Sequence, residues 1–320
     1  MKKSMNVLVT GGNGQLALCI RDIVNLFDRE NVYRFTTREE LDIRDAAMVY
    51  KYFDEFKPDV VINCAGYTKV DDAEDDYYNA HEVNAEGVQN LVKACKEFGT
   101  HIIHISTDYV FDGRKKKPYS EEDKLHPLNN YGDTKMIGES YVLEYKKGIV
   151  IRTSWLYSEY GKNFYKTMLE RIRSERETNV VCDQFGTPTY AKDLAFFIVY
   201  ELIKSRKILE KNGLYHYTNE GYASWYDFAS AIETLWSNFG PYEPMRKDPI
   251  EVKFEITPYT KRYISPIPSS EYKTKAKRPS YSVLDKSKIK KEFGIKINHW
   301  MDALLLCMKN DKKIWKLYTS

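Results

Sequence analysis

A short apolar run, Asn6-Val-Leu-Val-Thr10, breaks directly into Gly11-Gly12-Asn13-Gly14-Gln15-Leu16-Ala17, and a helix-like stretch then continues to about Leu26. Few folds accept this junction. A strand that ends in closely spaced glycines and restarts as a helix turns tightly and leaves bare backbone that another group can approach. The amides at the start of the helix then attract an anion, and in this context the anion is the pyrophosphate of a dinucleotide. The spacing Gly11-x-x-Gly14-x-x-Ala17 departs from the commonest dinucleotide fingerprint, Gly-x-Gly-x-x-Gly, while keeping its strand-turn-helix setting.

The same strand-helix alternation repeats downstream. Strand-like runs at 33–37, 59–63, 101–105 and 148–152 are separated by helical periodicity, clearest at 80–97 through Val83, Gly87, Leu91 and Ala94. Alternation of this kind predicts an α/β fold with a doubly wound, parallel, Rossmann-like sheet. After Tyr157 the pattern loosens. Helices are expected at 163–176, 191–204 and 224–236, the last capped by Ser224, with strands at 179–182 and 213–217 and turn chemistry at 183–189. Prolines, charges and tyrosines fill 240–278, where loops and short strands are expected. At 320 residues the chain exceeds the usual single domain. It divides into a dinucleotide-binding domain at 1–155, rejoined by part of 179–215, and a smaller, irregular substrate-binding lobe at 156–320.

Composition removes several classes of function. Hydrophobic residues are 42% and charged residues 30%, an ordinary soluble balance. No apolar run approaches the ~20 residues of a membrane span. Lys2-Lys3 precedes only Val7-Leu8-Val9 before the glycines begin, so the N-terminus reads as cytoplasmic. A net charge of +3 is too small to point to nucleic acid. The one dense basic run, Arg114-Lys-Lys-Lys117, sits between Gly113 and Pro118 and reads as a solvated loop. Five scattered cysteines without Cys-x-x-Cys spacing read as reduced thiols.

Candidate chemistry gathers at the strand ends. Tyr131 and Lys135 lie four apart on a predicted helix, one above the other. A phenol with an ordinary pKa near ~10 is a poor acid at neutral pH, and an adjacent ammonium would stabilise its phenolate and lower that value. The strand ending in Ser106-Thr107-Asp108 offers a hydroxyl to a substrate carbonyl, and Cys64-Ala65-Gly66-Tyr67 leaves room for a cofactor at the sheet crevice. Thr37-Arg38 stands where an acid commonly meets the adenosine ribose, which favours NADPH over NADH. Leu41-Asp42-Ile43 is expected in a loop beside the adenine. His101 and His104, three apart on a strand, face opposite ways, so structural or surface roles are expected in place of a shared metal.

Taken together, these residues resemble the extended short-chain dehydrogenase/reductases, and within them the dTDP-4-dehydrorhamnose reductase family. The resemblance runs through Thr10-Gly-Gly-Asn-Gly-Gln-Leu16, Asn84-Ala-Glu-Gly-Val-Gln-Asn90, Ser106-Thr-Asp-Tyr-Val-Phe-Asp-Gly113, Arg152-Thr-Ser-Trp-Leu-Tyr157 and Asp183-Gln-Phe-Gly-Thr-Pro188. It continues through Tyr215-His-Tyr-Thr-Asn-Glu-Gly221 and Lys277-Arg-Pro-Ser-Tyr-Ser-Val-Leu-Asp285, while 241–264 fits poorly. The resemblance implies that Tyr131 protonates a C4 ketone oxygen during hydride transfer, that Lys135 holds the cofactor ribose and tunes the tyrosine, and that Thr107 polarises the carbonyl. Asp108 and Trp155 would meet the substrate. Gly11, Gly14, Gln15, Leu16, Arg38, Asp42, Ile43, Ala65, Gly66 and Tyr67 would line the cofactor, with Arg278 a candidate diphosphate contact by charge. Some family members bridge a dimer through magnesium bound by glutamates. Cys19 holds the position of the first of these, which argues against the metal and leaves an unbridged homodimer open.

Two other readings share the scaffold. A sugar-nucleotide dehydratase or epimerase would return the hydride and keep its cofactor, although dehydratases of this type usually place Asp-Glu after the threonine where this chain has Asp108-Tyr109. The beta subunit of methionine adenosyltransferase also resembles these reductases, so a non-catalytic regulatory subunit is the reading from another class.

Overall fold

A computed structural model describes residues 4–239 and 262–311. Five strands from the first half, β1 (Asn6–Thr10), β2 (Val32–Thr36), β3 (Val60–Asn63), β4 (His101–Thr107) and β5 (Gly148–Thr153), join Gly213–His216 in one six-stranded sheet. Every pairing in it is parallel, in the order Gly213–His216, β5, β4, β3, β1, β2. From β1 the chain goes to β2 on one side and then crosses to β3 on the other. The carboxyl ends of β1 and β3 therefore flank a crevice, the place where an open α/β sheet receives its ligand.

Strand side chains alternate between two buried faces. Val7, Val9, Ile62, Ile103 and Ile151 pack with α1 (Gln15–Phe27) and with Ala191–Phe196, which runs on as the π-helical segment Phe197–Lys204. Leu8, Val61, Ile102 and Val150 face the opposite way, against α2 (Ala46–Phe56) and the helices Gly87–Phe98 and Asn130–Leu143. The helix expected at 80–97 starts earlier, at Tyr77, and passes through a π turn at Glu82–Glu86 before Gly87. Close packing fits that turn: a Cβ on Gly87 would lie 2.6 Å from Ile43, and one on Gly138 would lie 2.1 Å from the Asn84 carbonyl.

A second core, including Tyr157, Tyr165, Met168, Phe228, Ile232 and Leu304, holds the C-terminal half. Thr178–Val181 pairs in parallel with Ile264–Ile267 beneath the helix Trp225–Phe239. Ser224 opens that helix with a capping box: its Oγ accepts from the Asp227 amide at 3.0 Å and its own amide donates to Asp227 Oδ2 at 2.8 Å. Asn163 caps Phe164–Arg173 by accepting from the Lys166 amide at 3.0 Å, and the helix stops three residues short of the expected 176. Residues 241–261 of the poorly fitting stretch lie outside the described residues.

Candidate active site

Gly11 has φ +64°, and a Cβ there would lie 2.8 Å from the Ala65 amide nitrogen, so the turn after β1 presses directly on the end of β3. The Gly14 amide donates to the Gly11 carbonyl at 2.8 Å, closing the turn. Gly14 then caps α1 without any side chain, and the first turn carries no acid. The opening amides of α1 are left for an external anion, as a pyrophosphate requires.

Two cavities adjoin this turn and share Ala65, Gly66 and Thr68. One, of about 410 Å³, is lined by Gly11, Arg38, Asp42, Ile43 and Tyr67. Arg38 is largely exposed, and its Nε reaches Asp42 Oδ2 at 3.3 Å. A second guanidinium, Arg44, overlooked in the sequence reading, grips the same carboxylate through Nη2–Oδ2 at 2.6 Å and Nε–Oδ1 at 3.0 Å. It holds Asp42 down to about 2. This edge of the crevice thus presents two guanidinium cations around one ionised carboxylate.

The other cavity, of about 570 Å³, takes in Gly14, Gln15, Leu16, Thr107, Asp108, Tyr131, Lys135 and Trp155. Residues picked from six separate stretches of sequence therefore meet in one continuous cleft. Gln15 ties the glycine turn to the chain beyond β5, donating to the Leu156 carbonyl at 3.1 Å and accepting from Asn163 Nδ2 at 3.2 Å. Asn163 itself lines the cleft, and its helix-capping position was the only signal it gave in sequence.

Tyr131 stands at the start of Asn130–Leu143, two residues past the N-cap Asn129, whose Oδ1 accepts from the Gly132 amide at 2.8 Å. Burial pushes the phenol up to about 12, and a hydrogen bond with Thr107 pulls the other way. Here the structure corrects the sequence reading. The Lys135 ammonium is bonded away from the phenol: Nζ donates to the Ile105 carbonyl at 2.6 Å and lies 3.4 Å from His104 Nε2. Burial pushes Lys135 down to about 8, opposed by Glu139 and Cys64. The end of β4 supplies a better partner than the tyrosine one helical turn away. His104 is correspondingly not a surface group but wholly buried beneath Lys135.

Asp108 is buried beside Thr107, whose hydroxyl donates to Oδ1 at 3.2 Å, and burial outweighs this to raise the carboxyl to about 7. Its unfolded value is near ~3.9, so between these values the native state binds the extra proton and stability falls as pH rises. Between about pH 5 and 7 the loss should be about 2 kcal/mol, at ~1.36 kcal/mol per unit while the native carboxyl stays protonated. Asp108→Asn should flatten that part of the denaturation profile. A variant that keeps the wild-type slope contradicts the assignment.

Trp155 adopts φ +46°, a left-handed conformation rare for a bulky side chain, and stacks on Trp225 with ring centroids 3.6 Å apart and planes 9° from parallel. A Cβ on Gly186 would lie 2.5 Å from the Trp155 ring, so the indole is clamped on that side. Trp225, at the start of the helix Trp225–Phe239, completes the wall of the cleft and was not anticipated. Arg278 is already engaged, with Nη2 2.6 Å from Asp71 Oδ2 and Nη1 3.1 Å from the Ala276 carbonyl. Cys19 is buried in α1, and burial pushes its thiol upward.

The family described as the RmlD substrate binding domain matches residues 5–313. A dTDP-4-dehydrorhamnose reductase of Aggregatibacter actinomycetemcomitans is 39% identical over 93% of this chain and 96% of its own length. Among solved structures, a dTDP-4-dehydrorhamnose reductase of Clostridium acetobutylicum superposes with a TM-score of 0.82 at 37% identity, covering 95% of this chain and 99% of that one. The Bacillus anthracis dTDP-4-dehydrorhamnose reductase, solved in complex with NADP, gives a TM-score of 0.83 at 32% identity over 96% of this chain and 99% of that one.

Proposed function

The chain belongs to the dTDP-4-dehydrorhamnose reductase family, and from that membership we infer that it reduces the C4 ketone of dTDP-4-dehydro-6-deoxy-L-mannose to give dTDP-L-rhamnose. NADPH supplies the hydride. Negative charge then builds on the ketone oxygen, so the protein must offer a hydrogen-bond donor and a proton at that atom. In this reading Thr107 is the donor, Tyr131 delivers the proton, Lys135 engages the cofactor ribose, and Asp108 and Trp155 contact the sugar nucleotide. The observation that carries it is that Thr107, at the end of β4, and Tyr131 line one cleft with Gly14, Gln15 and Lys135, with Thr107 near enough to draw the phenol's pKa down against the effect of burial.

Residues 1–155 with the strand Gly213–His216 bind the cofactor in this account, and the remainder of 156–320 binds the sugar nucleotide. Cys19 is a poor ligand for a hard oxygen-seeking cation, so no magnesium bridge enters the proposal, and any homodimer would form without one. No helix among the described residues is long and apolar enough to cross a membrane. We place the enzyme in the cytoplasm on its five free thiols.

The test is turnover of purified protein with the keto sugar nucleotide. One NADPH should be consumed per product formed. Sugar conversion without net cofactor loss would instead identify a dehydratase or epimerase, and tight binding to a partner synthetase without reduction would identify a regulatory subunit. Cofactor choice has its own test. Arg38→Ala should raise KM for NADPH roughly tenfold, the ~1.4 kcal/mol of one exposed guanidinium-phosphate contact, with little effect on NADH. Equal kcat/KM of the wild type with both coenzymes would remove the 2′-phosphate role.

A further inference from the structure

We propose that His104 is the positioning residue for Lys135, and that a one-way line of hydrogen bonds beginning at the Ala65 amide fixes which side of the His104 ring faces it. Parallel register sets Thr10 of β1 opposite Asn63 of β3, and Asn63 opposite His104 of β4. The three side chains stand side by side on the sheet face that meets the Asn130–Leu143 helix, and all are buried. The Ala65 amide donates to Thr10 Oγ1 at 3.3 Å, Thr10 Oγ1 donates to Asn63 Oδ1 at 2.6 Å, and Asn63 Nδ2 meets His104 Nδ1 at 3.0 Å.

The Asn63 carboxamide sets the direction on both sides, because its Oδ1, toward Thr10, can only accept and its Nδ2, toward His104, can only donate. The Thr10 hydroxyl gives its proton to the Asn63 carbonyl oxygen and accepts from the Ala65 amide through a lone pair. The Asn63 amide nitrogen then donates to Nδ1. Burial and the nearby Lys135 keep the ring neutral, so its one proton resides on Nε2, 3.4 Å from Lys135 Nζ. His104 thus offers Lys135 a donor. An ammonium has three donors and no acceptor, so a facing N–H opposes the charged form and favours the amine. The amine lone pair can receive Nε2–H while an amine N–H still reaches the Ile105 carbonyl at 2.6 Å. The other titratable groups acting on Lys135 are Glu139, on its own helix, and Cys64, at the end of β3, and both favour the ammonium. Glu139 is in turn held by Arg152 of β5. His104 therefore works against Glu139 in setting the charge of Lys135. Ala65, where the line begins, lines both cavities of the cleft, so contact there and the charge on Lys135 share one polar connection.

The kinetic consequence rests on the reductase reading, whereas the ring state can be measured without turnover. Ring ¹⁵N shifts of His104 in the full-length, substrate-free wild type should show a protonated Nε2 and a bare Nδ1; the reverse overturns the proposal. In kcat/KM for NADPH, which reports ionisations of the free enzyme, His104→Leu should move the alkaline limb up by about one pH unit, a modest pKa shift from losing one facing donor. Asn63→Asp should move it the same way, because a carboxylate draws the ring proton to Nδ1 and turns Nε2 into an acceptor. Folded variants with a lower Tm and an unmoved limb mean that the residues are merely structural, which also overturns it. If neither variant folds, the ring-nitrogen measurement decides alone. A wild type that fails to reduce the sugar would defeat the function proposed above and leave that measurement standing.

Discussion

Tyr131→Phe is expected to lower kcat by roughly 10² to 10⁴, the range for removing a positioned general acid, with the NADPH dissociation constant almost unchanged. Burial holds the phenol up at about 12, so the resting side chain carries its proton throughout the working pH range. The substitution removes one oxygen and leaves the ring that meets Tyr109 edge-on, with centroids 5.8 Å apart. Packing is preserved, and a large loss would report chemistry. Thr107 remains to stabilise charge at the ketone oxygen, which is why residual turnover should persist. Single-turnover rates measured beside equilibrium NADPH binding separate the two effects. Near wild-type turnover in the variant would show that the proton reaches the substrate by another route.

The parts of this architecture that were legible in sequence depend on local sterics and periodicity. The junction at Gly11 declares itself because any Cβ there collides with β3. The sheet declares itself because strands buried on both faces must be apolar throughout. Contacts set by register were not legible. Nothing near Lys135 in the chain says that the Ile105 carbonyl will take its ammonium, since that depends on how β4 meets the helix. The expectation that Lys135 would tune Tyr131 directly came from helical spacing and from the family resemblance, and neither weighs a competing partner from another element. The Trp155–Trp225 stack joins residues 70 positions apart, and it depends on how the helix Trp225–Phe239 packs beside the end of β5. Arg44 escaped notice beside Arg38 because both are arginines near a strand end, and only the geometry shows which one is fixed on Asp42. The π turn at Glu82–Glu86 hid for a related reason: one inserted residue barely disturbs an apolar stripe.

Glu139→Ala should destabilise the protein by about 3–5 kcal/mol, the cost of breaking a buried ion pair by removing one partner. Arg152 meets Glu139 through two parallel bonds, Nε–Oε1 at 2.9 Å and Nη2–Oε2 at 2.7 Å, with both side chains 1% exposed. Its remaining surroundings cannot replace the carboxylate. Nη1 lies 3.4 Å from His216 Nε2, a neutral ring whose pKa is pushed down to about 3 by burial and by Arg152, and the guanidinium carbon sits 5.2 Å from the Phe111 ring centroid. A lone buried guanidinium with one weak acceptor and one ring face is the costly state. Replacing both partners by apolar residues of similar length, Glu139→Leu with Arg152→Met, should recover most of that loss, because neither charge then has to leave water. Denaturant midpoints at constant m-value measure both effects. Since Glu139 also supports the charge of Lys135, the restored double variant should be stable yet lose kcat/KM at lower pH than the wild type. A single variant that costs less than about 1 kcal/mol, the scale of an exposed pair, would mean that water reaches this site and that the pair does not hold the Asn130–Leu143 helix against β5.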